Sequence, residues 1–182
     1  ENSQGFFFFS VAFVGDTHAV LAGIESTDCV PLLFGDPKTG AFAPVHAGWR
    51  GTLAEIGAVT LRRLVDEYKT NPTDLRVAIG AAAGPCCYEV GSDVIDAFTT
   101  KFRDGAQLFT PTREGHAFVD LLKSNRDQLV AAGVLEERIH VAPICTMCRT
   151  DLFFSYRREK SLNGKVGRLM AVVGRAQRGL GS

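Results

Sequence analysis

The sequence predicts a layered α/β fold in which a mixed β-sheet is flanked by helices. Short apolar runs bounded by Gly, Asp or Pro alternate with longer segments whose apolar residues recur at helical spacing. The first strands follow one another without a helix between them, which excludes a purely parallel, doubly wound sheet. The chain has 182 residues, 46% of them hydrophobic. That is enough for one core, so we expect residues 1–182 to form a single domain.

The predicted strands are the short apolar runs that turn residues delimit. They comprise residues 6–14, 19–24, 30–34, 41–45, 75–80, 139–142 and 169–173. Between the third and the fourth, residues 36–40 have the composition of a tight turn. Pro37 presets φ at the second position of that turn, and Gly40 supplies a positive φ. The fourth strand delivers His46 at its end.

Three segments have the spacing of amphipathic helices. The first begins near Thr52, and the Asn-Pro pair that ends in Pro72 stops it. The second carries Ser92 at its start, a residue type that caps helices. The third is capped by Asp120 and closed by Gly133.

Charge and composition exclude several partners. The 20 basic and 20 acidic side chains cancel, which leaves no electrostatic footprint for nucleic acid or an anionic membrane. The apolar run at residues 6–14 is too short to cross a bilayer, and it lacks the basic flank of a signal peptide. Five cysteines without a targeting segment favour a reducing cytoplasm. We therefore expect a cytoplasmic protein whose partner is not chosen by bulk electrostatics.

Two motifs place a thiol and an imidazole at strand ends. Cys29 lies in TDCVP, residues 27–31, and His46 lies in VHAGWRG, residues 45–51. Thiolate and imidazole are the usual pair for covalent catalysis and are equally good ligands for a soft metal. Arg50 adds a planar fork suited to phosphate, and the helix beginning near Thr52 offers free N–H groups to an anion. The alternative is that Cys29 is a small core residue and His46 a structural one.

The remaining cysteines have a structural interpretation. Cys86 and Cys87 lie in GPCCYEVG, which we interpret mainly as a close-packed turn that shapes the cleft. Cys145 and Cys148 form a C-x-x-C motif, which is compatible with redox or zinc chemistry. A structural zinc site would need a second pair of ligands. Loop packing is therefore the favoured interpretation of this motif.

One aromatic and basic segment is a candidate substrate wall. Residues 153–158 read FFSYRR, in which Phe154 offers a stacking surface and Arg157 a phosphate-binding group. The alternative is that the aromatics belong to the core and the arginines to a solvated end. His116 follows Glu-Gly, a composition that predicts a solvated loop.

Four segments taken in order, TDCVP, VHAGWRG, GPCCYEVG and CT…LFFSYRR…GR, resemble the motifs of the YfiH-like laccase-domain family. The resemblance runs from about residue 19 to residue 173. Members are described as multicopper polyphenol oxidases and as purine nucleoside phosphorylases with adenosine deaminase activity. The resemblance implies a metal site of one Cys and two His, usually occupied by zinc, and Cys29 and His46 match two of these ligands.

The third ligand of the family lies in a Q-V-H-G segment upstream of the part that this chain matches. We therefore expect the chain to be truncated at its N-terminus relative to the family. His18 and His116 are the candidates that remain in its place. A catalytic zinc site needs three protein ligands and an open position.

The resemblance thus implies a zinc-dependent purine nucleoside phosphorylase with adenosine deaminase activity. Cys29 and His46 would be its catalytic and metal-binding residues, and Arg50, Phe154 and Arg157 would bind nucleoside and phosphate. One alternative is a copper-dependent polyphenol oxidase, although four histidines cannot assemble a multicopper centre in a monomer. The other is a binding module whose metal site another segment or chain completes.

Overall fold

A computed structural model describes residue 14, residues 21–163 and residues 166–175 of the chain. The predicted strand at residues 6–14 lies, apart from Val14, outside these residues, and so does His18. The described strands are β1 Leu21–Ser26, β2 Val30–Gly35, β3 Phe42–Ala47, β4 Arg76–Ile79, β5 Glu89–Gly91, β6 Phe109–Pro111, β7 His116–Val119, β8 Ile139–Val141 and β9 Leu169–Gly174. The described α-helices are α1 Trp49–Leu53, α2 Ile56–Tyr68, α3 Ser92–Lys101, α4 Leu121–Ala131 and α5 Tyr156–Asn163.

The largest described sheet has four strands in the order β3-β2-β4-β8. Strand β2 pairs antiparallel with both β3 and β4, whereas β4 pairs parallel with β8. The predicted mixed α/β architecture is therefore confirmed. Strands β1 and β9 form an antiparallel ribbon, and β5, β7 and β6 form a small antiparallel sheet. The sequence patterns did not predict the small sheet or helix α5.

The core forms where the apolar faces of the helices cover the four-stranded sheet. Strand β2 is buried at Val30, Leu32 and Phe34, as expected for a central strand with neighbours on both sides. Helix α2 contributes the buried Leu61 and Leu64 to the same cluster. Burial of such side chains stabilises the fold by roughly 25 cal/mol for each Å² of apolar surface removed from water.

Local backbone signals explain most helix boundaries. The Asp120 carboxylate accepts a hydrogen bond from the Lys123 N–H at 2.8 Å, so the predicted cap of α4 is confirmed. Gly133 closes α4 with a φ of 99°. The prediction for α3 is wrong in detail, because Gly91 occupies the cap position and Ser92 is the first helical residue.

The helix predicted to begin near Thr52 begins instead at Trp49. Glu55 adopts a left-handed conformation with a φ of 56°, which divides the segment into α1 and α2. The Thr52 N–H is already bonded to the Gly48 carbonyl at 2.8 Å, and Thr52 is fully buried. Thr52 therefore cannot present a free N–H to an anion, and the prediction that it does so is wrong.

One end of the four-stranded sheet collects most of the motif residues. Strand β2 begins there, while β3, β4 and β8 end there, as the pairs Val30 with Ala47 and Ile79 with Val141 show. We call this the site end of the sheet. The segments that carry Cys29 and His46, and those that follow β4 and β8, all meet at the site end because strand directions bring their ends together.

Candidate functional site

Cys29 lies immediately before β2 at the site end and is half-buried. Burial, reinforced by the neighbouring Asp28 carboxylate, raises the pKa of the Cys29 thiol to about 11, and Arg168 opposes this effect. A thiol with such a pKa keeps its proton at neutral pH unless a bound cation replaces that proton. Arg168 is a neighbour of the thiol that the sequence did not single out.

The His46 ring is oriented by a backbone hydrogen bond. Its Nδ1 lies 2.9 Å from the carbonyl oxygen of Glu25. A carbonyl only accepts hydrogen bonds, so Nδ1 carries the proton in the neutral ring and Nε2 keeps its lone pair. Histidine ligands of metals are commonly held in this way, with one nitrogen bonded to the protein and the other free for the ion.

Gly48 lies between the thiol and the imidazole. A Cβ placed on Gly48 would lie 3.0 Å from Cys29 Sγ and 3.8 Å from His46 Nε2, so both donor atoms converge on one point. The pairing of Pro31 with His46 across β2 and β3 brings the two residues together. Glycine keeps this point open, because a side chain there would fill the space between the two donors.

Asp28 joins the Cys29 segment to two distant parts of the chain. Its carboxylate is buried and accepts hydrogen bonds from Thr146 Oγ1 at 2.7 Å, Ser155 Oγ at 3.1 Å and the Arg157 N–H at 2.8 Å. Its carbonyl accepts from the Ala83 N–H at 2.8 Å. Asp28 has a φ of 72°, a conformation that aspartate tolerates better than most residues. These bonds hold the motif segments against one another.

A cavity of about 350 Å³ is lined by two of the three predicted substrate-binding residues. Arg50 and Arg157 line it together with Trp49, Tyr88 and His116. Its wall also includes the paired Arg113 and Glu89, whose atoms Nη2 and Oε2 are 3.0 Å apart, and Asp93. Three guanidinium groups against two carboxylates leave an excess of positive charge, which suits an anionic ligand.

Tyr88 lines this cavity beside Arg157. The Arg157 guanidinium carbon lies 5.0 Å from the centre of the Tyr88 ring. Burial raises the pKa of Tyr88, and the Arg157 charge opposes this effect. The sequence predicted only a turn for this segment, and Tyr88 was not among the predicted site residues.

Of the other residues considered in the sequence, Arg50 and His116 line the cavity and Phe154 does not. Arg50 stacks on Trp49, with its guanidinium carbon 4.1 Å from the ring centre. Phe154 is 48% exposed and does not line the cavity, and its ring lies against Gly167. His116 begins strand β7 and reaches the cavity, so the prediction of a solvated loop is wrong. Its Nδ1 is 2.9 Å from the Glu114 carbonyl oxygen.

Cys29 and His46 are donors of the types that zinc prefers, but no third donor joins them among the described residues. Within residues 14, 21–163 and 166–175, the only group of three or more metal-ligating side chains is formed by Cys86, Cys87, Cys145 and Cys148. Cys86 and Cys87 therefore supply the second pair of ligands that a zinc site at the C-x-x-C motif would need. The interpretation favoured from the sequence, loop packing, did not include this pair.

Comparison with known proteins gives consistent matches. A family sequence profile described as multi-copper polyphenol oxidoreductase laccase matches residues 11–176. The purine nucleoside phosphorylase YlmD of Geobacillus stearothermophilus is 39% identical over 163 residues, which are 89% of this chain and 58% of that protein. The adenosine deaminase RL5 of an unknown prokaryotic organism is 33% identical over 148 residues, 81% of this chain and 56% of that protein.

A solved structure agrees with these matches. The hypothetical protein YfiH of Bacillus licheniformis superposes with a TM-score of 0.85 at 35% identity and covers 90% of this chain and 61% of its own. The chain thus spans about three fifths of the length of the relatives it matches. In the part of the chain that the structure describes, no helix is both long and apolar enough to span a bilayer.

Proposed function

This chain belongs to the laccase-domain family of YfiH-type proteins, and from that premise we propose that it cleaves purine nucleosides with phosphate at the Cys29–His46 site. One observation carries the proposal. The cavity lined by Arg50, Arg157 and Tyr88 adjoins the site along the chain, because Trp49 and Arg50 follow Gly48, the point on which the thiol and the imidazole converge. The Arg157 N–H also donates to the carboxylate of Asp28, which precedes Cys29. An anion-binding pocket beside a soft-donor pair fits phosphorolysis, and a relative of this chain is named for that reaction.

The arginines of the cavity would bind and orient phosphate. In phosphorolysis a phosphate oxygen attacks C1′ of the ribose, the bond from C1′ to the purine nitrogen breaks, and the purine leaves with that electron pair. The leaving base takes up a proton, and the sugar becomes ribose 1-phosphate. Two guanidinium groups that hold the phosphate in place contribute through proximity and charge neutralisation. Trp49 and Tyr88 offer aromatic faces on which a purine can stack.

Cys29 Sγ and His46 Nε2 would hold a zinc ion, with a third ligand from outside the described residues. When bound, zinc would act as a Lewis acid in the site, and a relative of this chain is named adenosine deaminase. The backbone bond from His46 Nδ1 to Glu25 holds the ring with Nε2 directed at this position. We propose zinc over copper because the described histidines do not cluster, whereas multicopper centres need several histidines together.

The test is release of free base from adenosine or inosine by the purified, zinc-supplemented protein. Base release should require phosphate and should produce ribose 1-phosphate in equal amount. Arg50→Ala and Arg157→Ala should raise the KM for phosphate, while Arg62→Ala, an exposed change on α2, serves as the matched control. Oxidation of a phenol that follows copper loading, without base release, would overturn the proposal in favour of an oxidase.

A further inference from the structure

Four cysteines that the proposed reaction does not use lie together at the site end, and we call them the four-cysteine cluster: Cys86, Cys87, Cys145 and Cys148. Their Sγ atoms all lie within 4.8 Å of one another. The Sγ of Cys148 is 3.6 Å from that of Cys86 and 3.4 Å from that of Cys87. We propose that this cluster binds one structural zinc ion through four thiolates. The proposal goes beyond the proposed function and does not depend on it.

The spacing of the sulfurs fits a single ion. Zinc binds thiolate sulfur at about 2.3 Å in tetrahedral geometry, which places neighbouring sulfurs about 3.8 Å apart. The separations of Cys148 Sγ from Cys86 Sγ and Cys87 Sγ lie slightly below this value, and none of the others exceeds 4.8 Å. Four protein ligands leave no open position on a tetrahedral ion, and closed sites of this kind are structural.

Backbone turns shape each pair of cysteines before any metal binds. The Cys87 N–H donates to the Gly84 carbonyl at 3.0 Å, which closes the turn that carries the first pair. The N–H groups of Cys148 and Arg149 donate to the Cys145 carbonyl at 3.2 and 3.1 Å, which closes the turn of the second pair. Each pair therefore needs little reorganisation to bind an ion, which favours affinity.

The two turns are also held against each other. Ala82 forms a parallel bridge with Cys145, and its carbonyl accepts from the Thr146 N–H at 3.0 Å. The approach is close enough that a Cβ on Gly84 would lie 3.1 Å from the Cys145 Cβ. This contact follows from the fold, because the turns come after the parallel neighbours β4 and β8 and so lie at the same end of the sheet.

Two donors around the cluster are directed at sulfur. The Gly84 N–H donates to Cys145 Sγ at 3.3 Å, and Arg158 Nη2 lies 3.9 Å from Cys87 Sγ. Four thiolates around a divalent ion carry two net negative charges. Hydrogen bonds and a nearby guanidinium stabilise that charge, as outer-shell groups do in other metal sites.

Zinc fits this arrangement better than a disulfide does. A disulfide would use two of the sulfurs, leave the other two as thiols in contact with it, and need an oxidant. Zinc uses all four sulfurs and only displaces their protons. Cys86 and Cys148 are exposed, so an ion can reach the cluster from solvent.

A zinc ion here would support the neighbouring catalytic site. Tyr88 follows Cys87 directly, and it lines the cavity. Thr146 follows Cys145 directly, and its hydroxyl donates to the Asp28 carboxylate at 2.7 Å. Linking the two turns through zinc would fix the residues that border the catalytic site without placing the metal in the reaction.

The first test is metal analysis and X-ray absorption of the reduced protein, purified without added metal. We expect one tightly held zinc per chain with a shell of four sulfurs and no nitrogen. The double variant C29A/H46A should retain this ion, and C145S/C148S should lose it. A zinc shell containing nitrogen, or zinc that is lost with Cys29 and His46, would assign the ion to the other site and overturn the proposal.

The second test needs no variant that could misfold. Cobalt added to the reduced, metal-free wild-type chain should produce the visible and thiolate-to-metal bands of a tetrahedral all-sulfur site. Zinc should then displace the cobalt, and a strong chelator should lower the Tm of the zinc-loaded protein. Absence of these bands, or bound iron in place of zinc, would contradict the proposal. So would a disulfide within the cluster in protein purified under reducing conditions.

Discussion

The site end of the sheet presents two groups of cysteine-containing metal donors that differ in kind. Cys29 and His46 are a mixed pair that converge on the open space at Gly48, and the next residues, Trp49 and Arg50, line the cavity. The four-cysteine cluster is uniform, has its sulfurs within 4.8 Å of one another and is linked by backbone turns. A zinc ion held by the first arrangement would keep coordination positions open to a substrate, whereas an ion held by the second would have all of them filled.

In the proposed assignment, the number and type of donors distinguish a catalytic metal site from a structural one even though the two sites are neighbours. Zinc with three protein ligands can activate a substrate, and zinc with four is closed to one. Asp28 joins the two regions, because it precedes Cys29 and accepts a hydrogen bond from Thr146 beside Cys145. The predictions below test whether the two regions differ in function as their geometry implies.

The largest expected difference is in catalysis. Cys29→Ala should lower kcat/KM for phosphorolysis by about 10³-fold or more, because it removes a ligand of the reacting centre. Cys148→Ser should lower kcat/KM less than about tenfold, because its effect on the site is indirect. Steady-state assays of base release at saturating zinc measure both. Equal losses in the two variants would contradict the division into a catalytic and a structural region.

The next effect concerns the residue that joins the regions. Asp28→Ala removes the acceptor of three hydrogen bonds, two of them buried, and leaves a non-glycine residue at a positive φ. We expect a loss of about 3–5 kcal/mol in the free energy of unfolding. Urea denaturation measures it. Asp28→Asn, which keeps one acceptor oxygen and tolerates the same φ, is the matched control and should lose less.

Local parts of this fold were predictable because their causes are local. The Asp120 cap, the Gly133 helix end and the turn at residues 36–40 depend on residues within a few positions of one another. The strand that delivers His46 followed from the same short-range patterns. Strands β5 and β6 are three residues long, and tertiary pairing rather than an apolar run defines them.

The two metal-donor regions were predictable to different degrees. Cys29 and His46 follow from motifs joined by a single hairpin, so the chain distance between them is short. The four-cysteine cluster joins Cys87 to Cys148 across 61 positions in the sequence. The parallel pairing of β4 with β8 brings these turns together. The apolar pattern of a strand does not show which other strand it will pair with, so this pairing could not be predicted. The same holds for Tyr88 and Asp28, whose contacts are also long-range.

Two adjacent arginines provide a finer test of the comparison. The Arg157 guanidinium faces Tyr88 and the cavity, whereas that of Arg158 lies 3.9 Å from Cys87 Sγ. Arg157→Ala should raise the KM for phosphate about 10- to 100-fold, since a guanidinium bound to phosphate contributes one to two hydrogen bonds to a charged group. Initial-rate kinetics at varied phosphate concentration measure this.

Arg158→Ala should leave the KM for phosphate within about twofold, because its side chain is directed at a metal-ligand sulfur and not at phosphate. It should instead speed the loss of zinc to a chelator. A chromogenic zinc indicator follows that release. If Arg158→Ala instead raises the KM for phosphate and Arg157→Ala speeds the loss of zinc, the assignment of the two arginines is reversed.

The smallest effect comes from a position at the opposite end of the β2–β3 hairpin, which serves as a control for stability alone. Burial opposes ionisation of Asp36, but hydrogen bonds from Thr39 Oγ1 and from the N–H groups of Lys38 and Thr39 outweigh it. The pKa of Asp36 is therefore lowered from its ordinary value of 3.8. The carboxylate thus stabilises the fold fully above about pH 4 and loses this contribution as pH falls through its folded-state pKa.

Asp36→Ala should cost about 1–2 kcal/mol at pH 7, because it removes the acceptor of the turn's hydrogen bonds. The difference from wild type in urea unfolding should shrink when both proteins are compared at pH 3, where protonation has begun to remove the same contribution from the wild type. Zinc content and kcat/KM at pH 7 should stay at wild-type values, since the turn contacts neither region at the site end. A change in zinc content or in kcat/KM would mean that a loss of stability alone alters these two quantities. The kcat/KM losses expected for the Cys29 and Cys148 variants would then not distinguish a catalytic role from a structural one.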